Sequence, residues 1–388
     1  MTDSAPNYLP VSLRQGYTTG TCAQAATKAS VQILLGMCRK EDMTFVEVEL
    51  PKGKMLELEV LDIKIDYKET EKFPYAVSCA VRKDSGDDPD ITNGILVYSR
   101  VERKNRAGKE PVTIDGGDGV GRVTKPGLEQ PVGAAAINRV PRRMILKEVE
   151  KACMEAGYEQ GIHVEISIPE GKRLAEKTFN PRLGVEGGLS VLGTSGIVEP
   201  MSEQALLDTI YLDMRVKLAG REKKYLVMAP GNYGLEFLEE EYGLEESSVV
   251  KCSNFIGQSV DMAGGLGCEG LLLVGHIGKL IKVSGGIMNT HSGQGDCRME
   301  LLACAALRAG LSGQAAREML GCVTADEALS KCTEEERRLI MAQVMEKIEK
   351  HLAMRAAGRM KTGAVAFSRV YGILGKTSLS DRLMKEIL

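Results

Sequence analysis

The sequence contains no tryptophan, and aromatic residues make up only 4% of its 388 positions. Aromatic side chains are the stacking platforms on which proteins bind single-stranded nucleic acid, so their scarcity argues against that class of ligand. The formal net charge of −3 leaves no overall positive field to attract a polyanion. We therefore expect no nucleic-acid partner.

Long apolar runs and paired cysteines are also missing. No stretch approaches the length of a membrane span, and the start, MTDSAPNYLPVSLRQG, lacks the apolar core of a secretory signal. The ten cysteines occur singly, without any C-x-x-C pair. We therefore expect a cytoplasmic protein with reduced thiols, no membrane partner, no disulfide framework and no metal site of its own.

Glycine is abundant instead, with 43 residues gathered into clusters rather than spread along linkers. Such clusters occur where the backbone bends sharply or approaches a ligand closely. The chain is long enough for two domains with buried cores. A glycine-rich connector begins near residue 180, and we predict an α+β domain over 1–180 and an α/β domain over 181–388.

The stretch TTGTC, residues 18–22, leads into a run of small residues. We predict a helix over 21–35, capped by Thr19 or Thr21 and closed by Gly36. Such a helix N-terminus, lined with hydroxyl groups, is able to hold an anion. Cys22 is interpreted as a small packing residue, although a helix N-terminus would also make a thiol more reactive.

Alternation of apolar and charged residues predicts the other elements of the first half. We expect a hairpin over 45–60, strands near 75–82, 95–102 and 161–168, and a helix over 142–156 ending at Gly157.

The segment 113–125, TIDGGDGVGRVTK, joins a strand end to clustered glycines and two cations. Consecutive backbone N–H groups in such turns bind anions, and the arginine side chain suits carboxylate or phosphate. The alternative is an ordinary glycine turn with a solvated basic face.

The second half alternates strands and helices, which predicts a parallel sheet with helices on its faces. Ligands of such sheets bind beyond the carboxyl ends of the strands. The first strand ends in APGNYG, where Gly231, Asn232 and Gly234 open a helix. An adenosine or carboxylate-bearing cofactor is expected there, with an ordinary βα turn as the alternative.

A later strand end, GHIGKLIKVSGGIMNTHSGQGD at residues 275–296, is rich in polar side chains. His291 lies between Thr290 and Ser292 rather than on an apolar face, so its imidazole is a candidate base near neutral pH. The tail from Thr333 is predicted to be mostly helical, with a capping box formed by Thr333 and Glu336. Its apolar stripe predicts packing within the chain or in a homo-oligomer.

Four stretches together resemble one family: LRQGYTTGTCAQAA, GGDGVGRVTKPGL, NPRLGVEGGLSVLGTSGIVEPMSEQAL and GHIGKLIKVSGGIMNTHS. They are similar to the cobalt-precorrin-5B C(1)-methyltransferases of anaerobic cobalamin synthesis, the CbiD family. The resemblance implies an N-terminal domain like domain 2 of ribosomal protein S5 and a Rossmann-like C-terminal domain. It implies S-adenosylmethionine as the methyl donor and a cobalt-containing tetrapyrrole, a small-molecule corrinoid, as the acceptor.

The implied substrate carries several acetate and propionate groups, so its site needs cations and hydroxyl donors. The candidates for substrate binding are Arg14, Thr18, Thr19, Thr21, Arg122, Lys125, Arg139, Arg142, Arg143, Arg182 and Lys279. The donor is expected at Gly231, Asn232 and Gly234. His291 and, second, Asp118 are the candidate catalytic bases. Cobalt would enter only as part of the substrate.

Two other functions are consistent with the same residues. A small-molecule kinase on an S5-like fold would use GGDGVGR as a phosphate loop and would bind ATP with magnesium. A tetrapyrrole carrier without catalytic activity would bind the corrinoid and transfer no methyl group.

Overall fold

The computed structural model describes residues 13–69, 73–105, 111–178 and 180–388. Residues 1–12 lie outside these ranges. They make up most of the N-terminal stretch in which the sequence predicts no secretory signal. The chain divides into two units, residues 1–202 and 203–388, and each contains helices and sheets. Among the described residues, no helix has both the length and the apolar character that crossing a membrane requires.

The division falls later than the boundary predicted at residue 180. Two short strands in the intervening segment pair with the first unit: Val185–Glu186 pairs with Arg122–Val123, and Ile197–Val198 pairs with Gly16–Tyr17. The glycine-rich connector is therefore part of the first unit rather than the start of the second.

The first unit contains eleven described strands and three described α-helices. The strands are β1 (Gly16–Tyr17), β2 (Phe45–Glu49), β3 (Met55–Glu59), β4 (Leu61–Asp66), β5 (Ala76–Arg82), β6 (Leu96–Lys104), β7 (Val112–Gly116), β8 (Arg122–Val123), β9 (Gly161–Ser167), β10 (Val185–Glu186) and β11 (Ile197–Val198). The helices are α1 (Thr19–Leu34), α2 (Arg139–Ala156) and α3 (Gly171–Ala175).

A five-stranded sheet with the order β4-β5-β6-β9-β7 forms the centre of this unit. Its pairs are antiparallel except β7 with β9, which is parallel. The predicted hairpin is confirmed as β2 paired with β3. Helix α1 packs against α2, β5 and β6, and the small side chains of Ala23, Ala26 and Ala29 are fully buried in this contact region.

Helix α1 begins two residues earlier than predicted, because Thr18 is its cap. The Thr18 side chain accepts a hydrogen bond from the backbone N–H of Thr21, which corrects the expectation that Thr19 or Thr21 caps the helix. The predicted closure by Gly36 is confirmed, since its φ of +74° is the left-handed conformation that glycine adopts at least cost.

The second unit contains nine α-helices and five strands among its described residues. The helices are α4 (Glu203–Leu218), α5 (Asn232–Tyr242), α6 (Ile256–Gly265), α7 (Ile277–Ser284), α8 (Arg298–Arg308), α9 (Gly313–Leu320), α10 (Ala325–Ser330), α11 (Glu334–Ala356) and α12 (Ser380–Ile387). The strands are β12 (Tyr225–Ala229), β13 (Val250–Lys251), β14 (Gly270–His276), β15 (Lys361–Ser368) and β16 (Gly372–Lys376).

These strands form one sheet with the order β13-β12-β14-β15-β16, in which the first four are parallel and β16 is antiparallel. Both faces are covered. Along β14, Leu271 and Leu273 belong to one buried cluster, whereas Leu272 and Val274 belong to another. A strand apolar on both sides is typical of a parallel sheet between layers of helices, and the α/β prediction for this half is confirmed at that level.

The tail was only partly anticipated. The capping box of Thr333 and Glu336 is present at the start of α11, as predicted. Beyond α11, however, KTGAVAFS forms strand β15, which lies inside the sheet between β14 and β16. A short apolar run next to a long helix does not reveal by its periodicity that it is a buried strand.

Candidate functional site

A cavity of about 690 Å³ lies at the carboxyl ends of the neighbouring parallel strands β12 and β14. Cavities of this volume accommodate small molecules and cofactors, and strand carboxyl ends are the usual binding edge of a parallel sheet. The lining residues are Pro230, Gly231, Asn232, Tyr233, Gly234, Gly275, His276, Gly278, Lys279, Arg298, Thr324, Ala325 and Asp326.

The loop after β12 brings the backbone to the cavity. Helix α5 begins at Asn232 with Gly231 as its cap residue, so the N–H groups of its first turn lie at the cavity edge. A Cβ atom at Gly231 would lie 3.7 Å from the Lys279 Nζ atom, whereas one at Gly234 would lie 2.8 Å from the Ala229 Cβ atom. Gly231 therefore leaves ligand space open, and Gly234 allows α5 to pack closely on its own strand.

Lys279 lies on α7 and donates to the backbone carbonyl of Pro230. Burial lowers the pKa of this lysine below its ordinary value, and the positive charges of Lys251 and Lys282 act in the same direction. Its ammonium is thus partly desolvated and bound to a neutral acceptor. A buried charge is costly unless it is paired, so an anion in the cavity would stabilise this ammonium.

His276 and Asp326 form a second polar feature of the cavity. The His276 Nδ1 atom accepts from the Gly278 N–H at 3.1 Å, which caps α7. The Nε2 atom therefore carries the ring proton and lies 3.3 Å from Asp326 Oδ2. Burial lowers the pKa of His276, although the neighbouring carboxylate opposes this shift. Both ring nitrogens are occupied, so His276 is built to hold Asp326 rather than to accept a proton.

All three residues predicted for the cofactor, Gly231, Asn232 and Gly234, line this cavity, and so does Lys279. Sequence reasoning placed His276 in the polar stretch but favoured His291, and it did not single out Arg298 or Asp326. For His276 a signal existed, since it is the last residue of β14 and side chains at strand ends face the binding edge.

The two predicted bases lie elsewhere. His291 is exposed, and its Nδ1 atom accepts from the Gly293 N–H at 3.1 Å as the cap of the short 3₁₀ helix Ser292–Gln294. Asp118 is exposed in the first unit, where its backbone carbonyl accepts from Ile168. Neither residue lines the cavity.

The helix N-terminus at TTGTC is closed off by the segment 192–196. The Gly20 N–H donates to the Leu192 carbonyl at 2.8 Å, and Thr19 exchanges hydrogen bonds with the same residue. The Thr21 hydroxyl donates to the Gly196 carbonyl at 2.7 Å. Thr19 and Thr21 are buried, so these groups stabilise the fold and do not form an open anion cradle.

Cys22 is fully buried in the same region. Burial raises the pKa of its thiol to about 12, and a thiol held so strongly in its neutral form is a poor nucleophile. The interpretation of Cys22 as a packing residue agrees with this placement.

The glycine turn at 116–121 is also internally occupied. The N–H groups of Gly117 and Gly121 donate to the carbonyls of Ile166 and Leu189, and the Val120 N–H donates to Gly117. At Gly119, a Cβ atom would lie 1.8 Å from the Ile168 carbonyl oxygen, so glycine is needed there for close backbone packing. The turn matches the structural alternative rather than a phosphate loop.

Several of the predicted substrate arginines already have partners, among them Arg14, Arg122 and Arg142. Arg14 pairs with Asp84, and Arg122 forms a two-point pair with Asp115 at 2.6 and 3.0 Å. Arg142 donates to the carbonyls of Ile137, Ile114 and Ala135, and burial lowers its pKa. The remaining predicted cations of the first unit are exposed: Lys125, Arg139, Arg143 and Arg182.

Comparison with known proteins gives matches along most of the chain. The CbiD family model matches residues 8–200, and the model of the CbiD C-terminal domain matches residues 289–378. The cobalt-precorrin-5B C(1)-methyltransferase of Ruminiclostridium cellulolyticum is 43% identical, over 92% of this chain and 89% of that protein. The protein of the same name from Alkaliphilus metalliredigens is 41% identical, over 96% and 94%.

One solved structure is also similar in sequence. The crystal structure of the cobalamin biosynthesis protein CbiD from Archaeoglobus fulgidus is 30% identical to this chain. The match covers 70% of this chain and 80% of that one, with a TM-score of 0.37.

Proposed function

Because the chain belongs to the CbiD family, we propose that it methylates ring carbon C-1 of cobalt-precorrin-5B and so forms cobalt-precorrin-6A. The methyl donor is S-adenosylmethionine, and cobalt enters as part of the substrate. The observation that carries the location of the reaction is the 690 Å³ cavity where the GNYG loop meets α7.

The residues of the cavity fit this donor. Its volume suits a nucleoside with an amino-acid arm, and the first turn of α5 offers N–H groups to a carboxylate. Gly231 leaves space beside the loop, since the nearest atom to a Cβ there is 3.7 Å away. We propose that Gly231, Asn232 and Gly234 hold the donor.

S-adenosylmethionine supplies an electrophilic methyl group on a positively charged sulfur. The task of the protein is to align this group with the ring carbon and to exclude water. No nucleophilic side chain is needed, which agrees with the inert environment of Cys22. His276 holds the Asp326 carboxylate at the cavity wall, where it fixes one rim of the donor site.

Proton removal from the macrocycle was assigned to His291 or Asp118 by sequence. Neither lines the cavity, and the His291 Nδ1 atom is engaged in a backbone cap. The proposal that either residue is the base therefore rests on the sequence alone. Among the predicted substrate cations, Lys279 has the most direct support, because it lies at the cavity where donor and ring carbon have to meet.

The test is methyl transfer by the purified protein from S-adenosylmethionine labelled in its methyl group. We expect label in the corrinoid product together with one added methyl group at C-1 by mass spectrometry and NMR. Substrate binding without label in the ring would instead indicate a carrier, and binding of ATP with magnesium but not of the donor would indicate a kinase.

Two finer proposals follow from the family. The parallel sheet and its covering helices support a Rossmann-like second unit, and the mixed sheet with α1 and α2 is proposed to be similar to domain 2 of ribosomal protein S5.

We also propose that the protein acts in the cytoplasm, which is consistent with ten free cysteines.

A further inference from the structure

Three cations gather around the first turn of α5, and each comes from a different strand end. Lys251 is the last residue of β13, Lys279 lies on α7 after β14, and Arg369 directly follows β15. All three side chains contact the segment 230–233. Lys279 donates to the Pro230 carbonyl, and Lys251 donates to the Asn232 side-chain oxygen at 2.5 Å.

The third cation stacks instead of donating. The Arg369 guanidinium lies 4.9 Å from the ring centroid of Tyr233, a side chain that is 52% exposed and lines the cavity. Within the described ranges, no ion pair with a carboxylate is formed by Lys251, Lys279 or Arg369. All three are held by neutral partners, namely a carbonyl, an amide and an aromatic face.

This pattern differs from that of the other basic side chains at the same edge. Arg298 pairs with Asp296, and Lys282 donates to two carbonyls while lying 3.9 Å from the same carboxylate. Among the described residues that line the cavity, Asp326 is the only acidic one, and His276 faces it. Within the part of the chain that the structure describes, the three cations thus have no carboxylate partner of their own, and their charge adds to the positive end of α5.

The sheet order sets the scale of this positive surface. Strand β13 lies on one side of β12, and β15 lies beyond β14 on the other side. The ends of β13 and β15 are therefore three strand spacings apart, roughly 14 Å. A single carboxylate group spans only a small part of that width, whereas a macrocycle with several peripheral carboxylates is matched to it.

We propose that Lys251, Lys279 and Arg369 form a binding site for the peripheral carboxylates of the tetrapyrrole, at the mouth of the second-unit cavity. The inference rests on the proposed function for the identity of the macrocycle. In this proposal the substrate carboxylates bind mainly to these three cations. They do not bind mainly to Arg14, Arg122 and Arg142, whose guanidinium groups already have partners in the fold.

The experiment measures binding of two corrins to the full-length protein by isothermal titration at several salt concentrations. Cobyrinic acid carries only free peripheral carboxylates, and in cobyric acid all but one of them are amides. The variants are Lys251→Gln, Arg369→Gln and both together, with Lys350→Gln as the matched control at an exposed position of α11. S-adenosylhomocysteine is titrated in parallel as a measure of the donor site.

We expect each single variant to lose about tenfold in affinity for cobyrinic acid, which is the loss of one charged hydrogen bond. The salt dependence of that affinity should become shallower. Affinity for cobyric acid should stay within about twofold. Affinity for S-adenosylhomocysteine should fall less than that for cobyrinic acid, since Lys251 and Arg369 contact Asn232 and Tyr233 of the donor loop, and the control should behave as the unaltered protein.

An unchanged affinity of the double variant for cobyrinic acid would overturn the proposed site. So would a loss confined to S-adenosylhomocysteine, which would assign the cations to the donor carboxylate. Failure of the proposed function has a different signature: affinity for cobyrinic acid would respond to the substitutions, but the unaltered protein would transfer no methyl group to cobalt-precorrin-5B.

Discussion

The hydroxyl group of Thr21 donates a 2.7 Å hydrogen bond to the carbonyl of Gly196, which joins two segments 175 residues apart. Gly196 has a φ of +83°, and a Cβ atom there would lie 3.0 Å from the Thr21 Oγ1 atom. The two residues therefore fit together only because one is glycine. TTGTC therefore contributes a buried contact that joins distant segments of the fold, rather than an open ligand site.

Replacing Thr21 with valine keeps the shape and removes the hydroxyl group. The buried Gly196 carbonyl would lose this donor, so we expect the free energy of unfolding to fall by about 1–3 kcal/mol in urea titrations. Thr44→Val is the control, because Thr44 is exposed and should change stability by less than about 0.5 kcal/mol. Weaker corrinoid binding with unchanged stability would restore the anion-cradle interpretation.

Gly231 and Gly234 are expected to respond differently to the same substitution. Gly231→Val places methyl groups in the cavity beside Lys279, so affinity for S-adenosylhomocysteine should fall at least about tenfold with little change in melting temperature. Gly234→Val pushes against Ala229 and the Val274 carbonyl, so it should destabilise the fold by about 1–3 kcal/mol.

Gly265→Val is the control for this pair, since nothing lies within 4 Å of a Cβ atom added at Gly265. Titration calorimetry and thermal unfolding together separate the two effects. Normal donor affinity in Gly231→Val would mean that the donor binds outside the GNYG loop.

His276 should make the stability of the second unit depend on pH. Its folded-state pKa lies below the ordinary value of 6.5, so between these two values the unfolded chain binds more protons than the folded one. The stabilising contribution is complete above 6.5 and is lost as the pH falls through the folded value. We expect its ring resonances to titrate below 6.5 in NMR.

His276→Asn keeps a residue that can cap α7 and removes the titration. The free energy of unfolding of this variant should therefore fall less steeply than that of the unaltered protein as the pH is lowered from about 7.5 to 5. Burial also lowers the pKa of His163, but that residue is common to both proteins and cancels in the difference. Equal pH dependence of the two proteins would contradict the assignment.

His291→Ala should retain turnover close to that of the unaltered enzyme. The residue is exposed, caps only a 3₁₀ turn and does not line the cavity. The measurement is kcat with labelled donor, together with the affinities for both ligands. A large fall in kcat with both affinities intact would show that His291 acts as a base after all.

Local patterns were sufficient for much of the fold. The capping box at Thr333, the left-handed Gly36 and the hairpin over 45–60 all follow from neighbouring residues, and each is present. Strand β15 was missed because a short buried run has no distinctive period. The loop of Gly231 was placed correctly because the position after a parallel strand is itself defined by the order of elements along the chain.

By itself, the sequence determined where many turns and helix ends lie, the hairpin over 45–60, and which loop follows β12. Only the tertiary structure decided which polar groups are still free to bind. As sequences, TTGTC, GGDGVGR and APGNYG look equally suited to bind an anion. In the folded chain, however, the Gly20 N–H donates to the Leu192 carbonyl and the Gly121 N–H donates to the Leu189 carbonyl, so these backbone donors of the first two segments are already used. Those partners lie about 70 or more residues away in sequence, and no local pattern encodes a hydrogen bond that forms only when distant segments pack together.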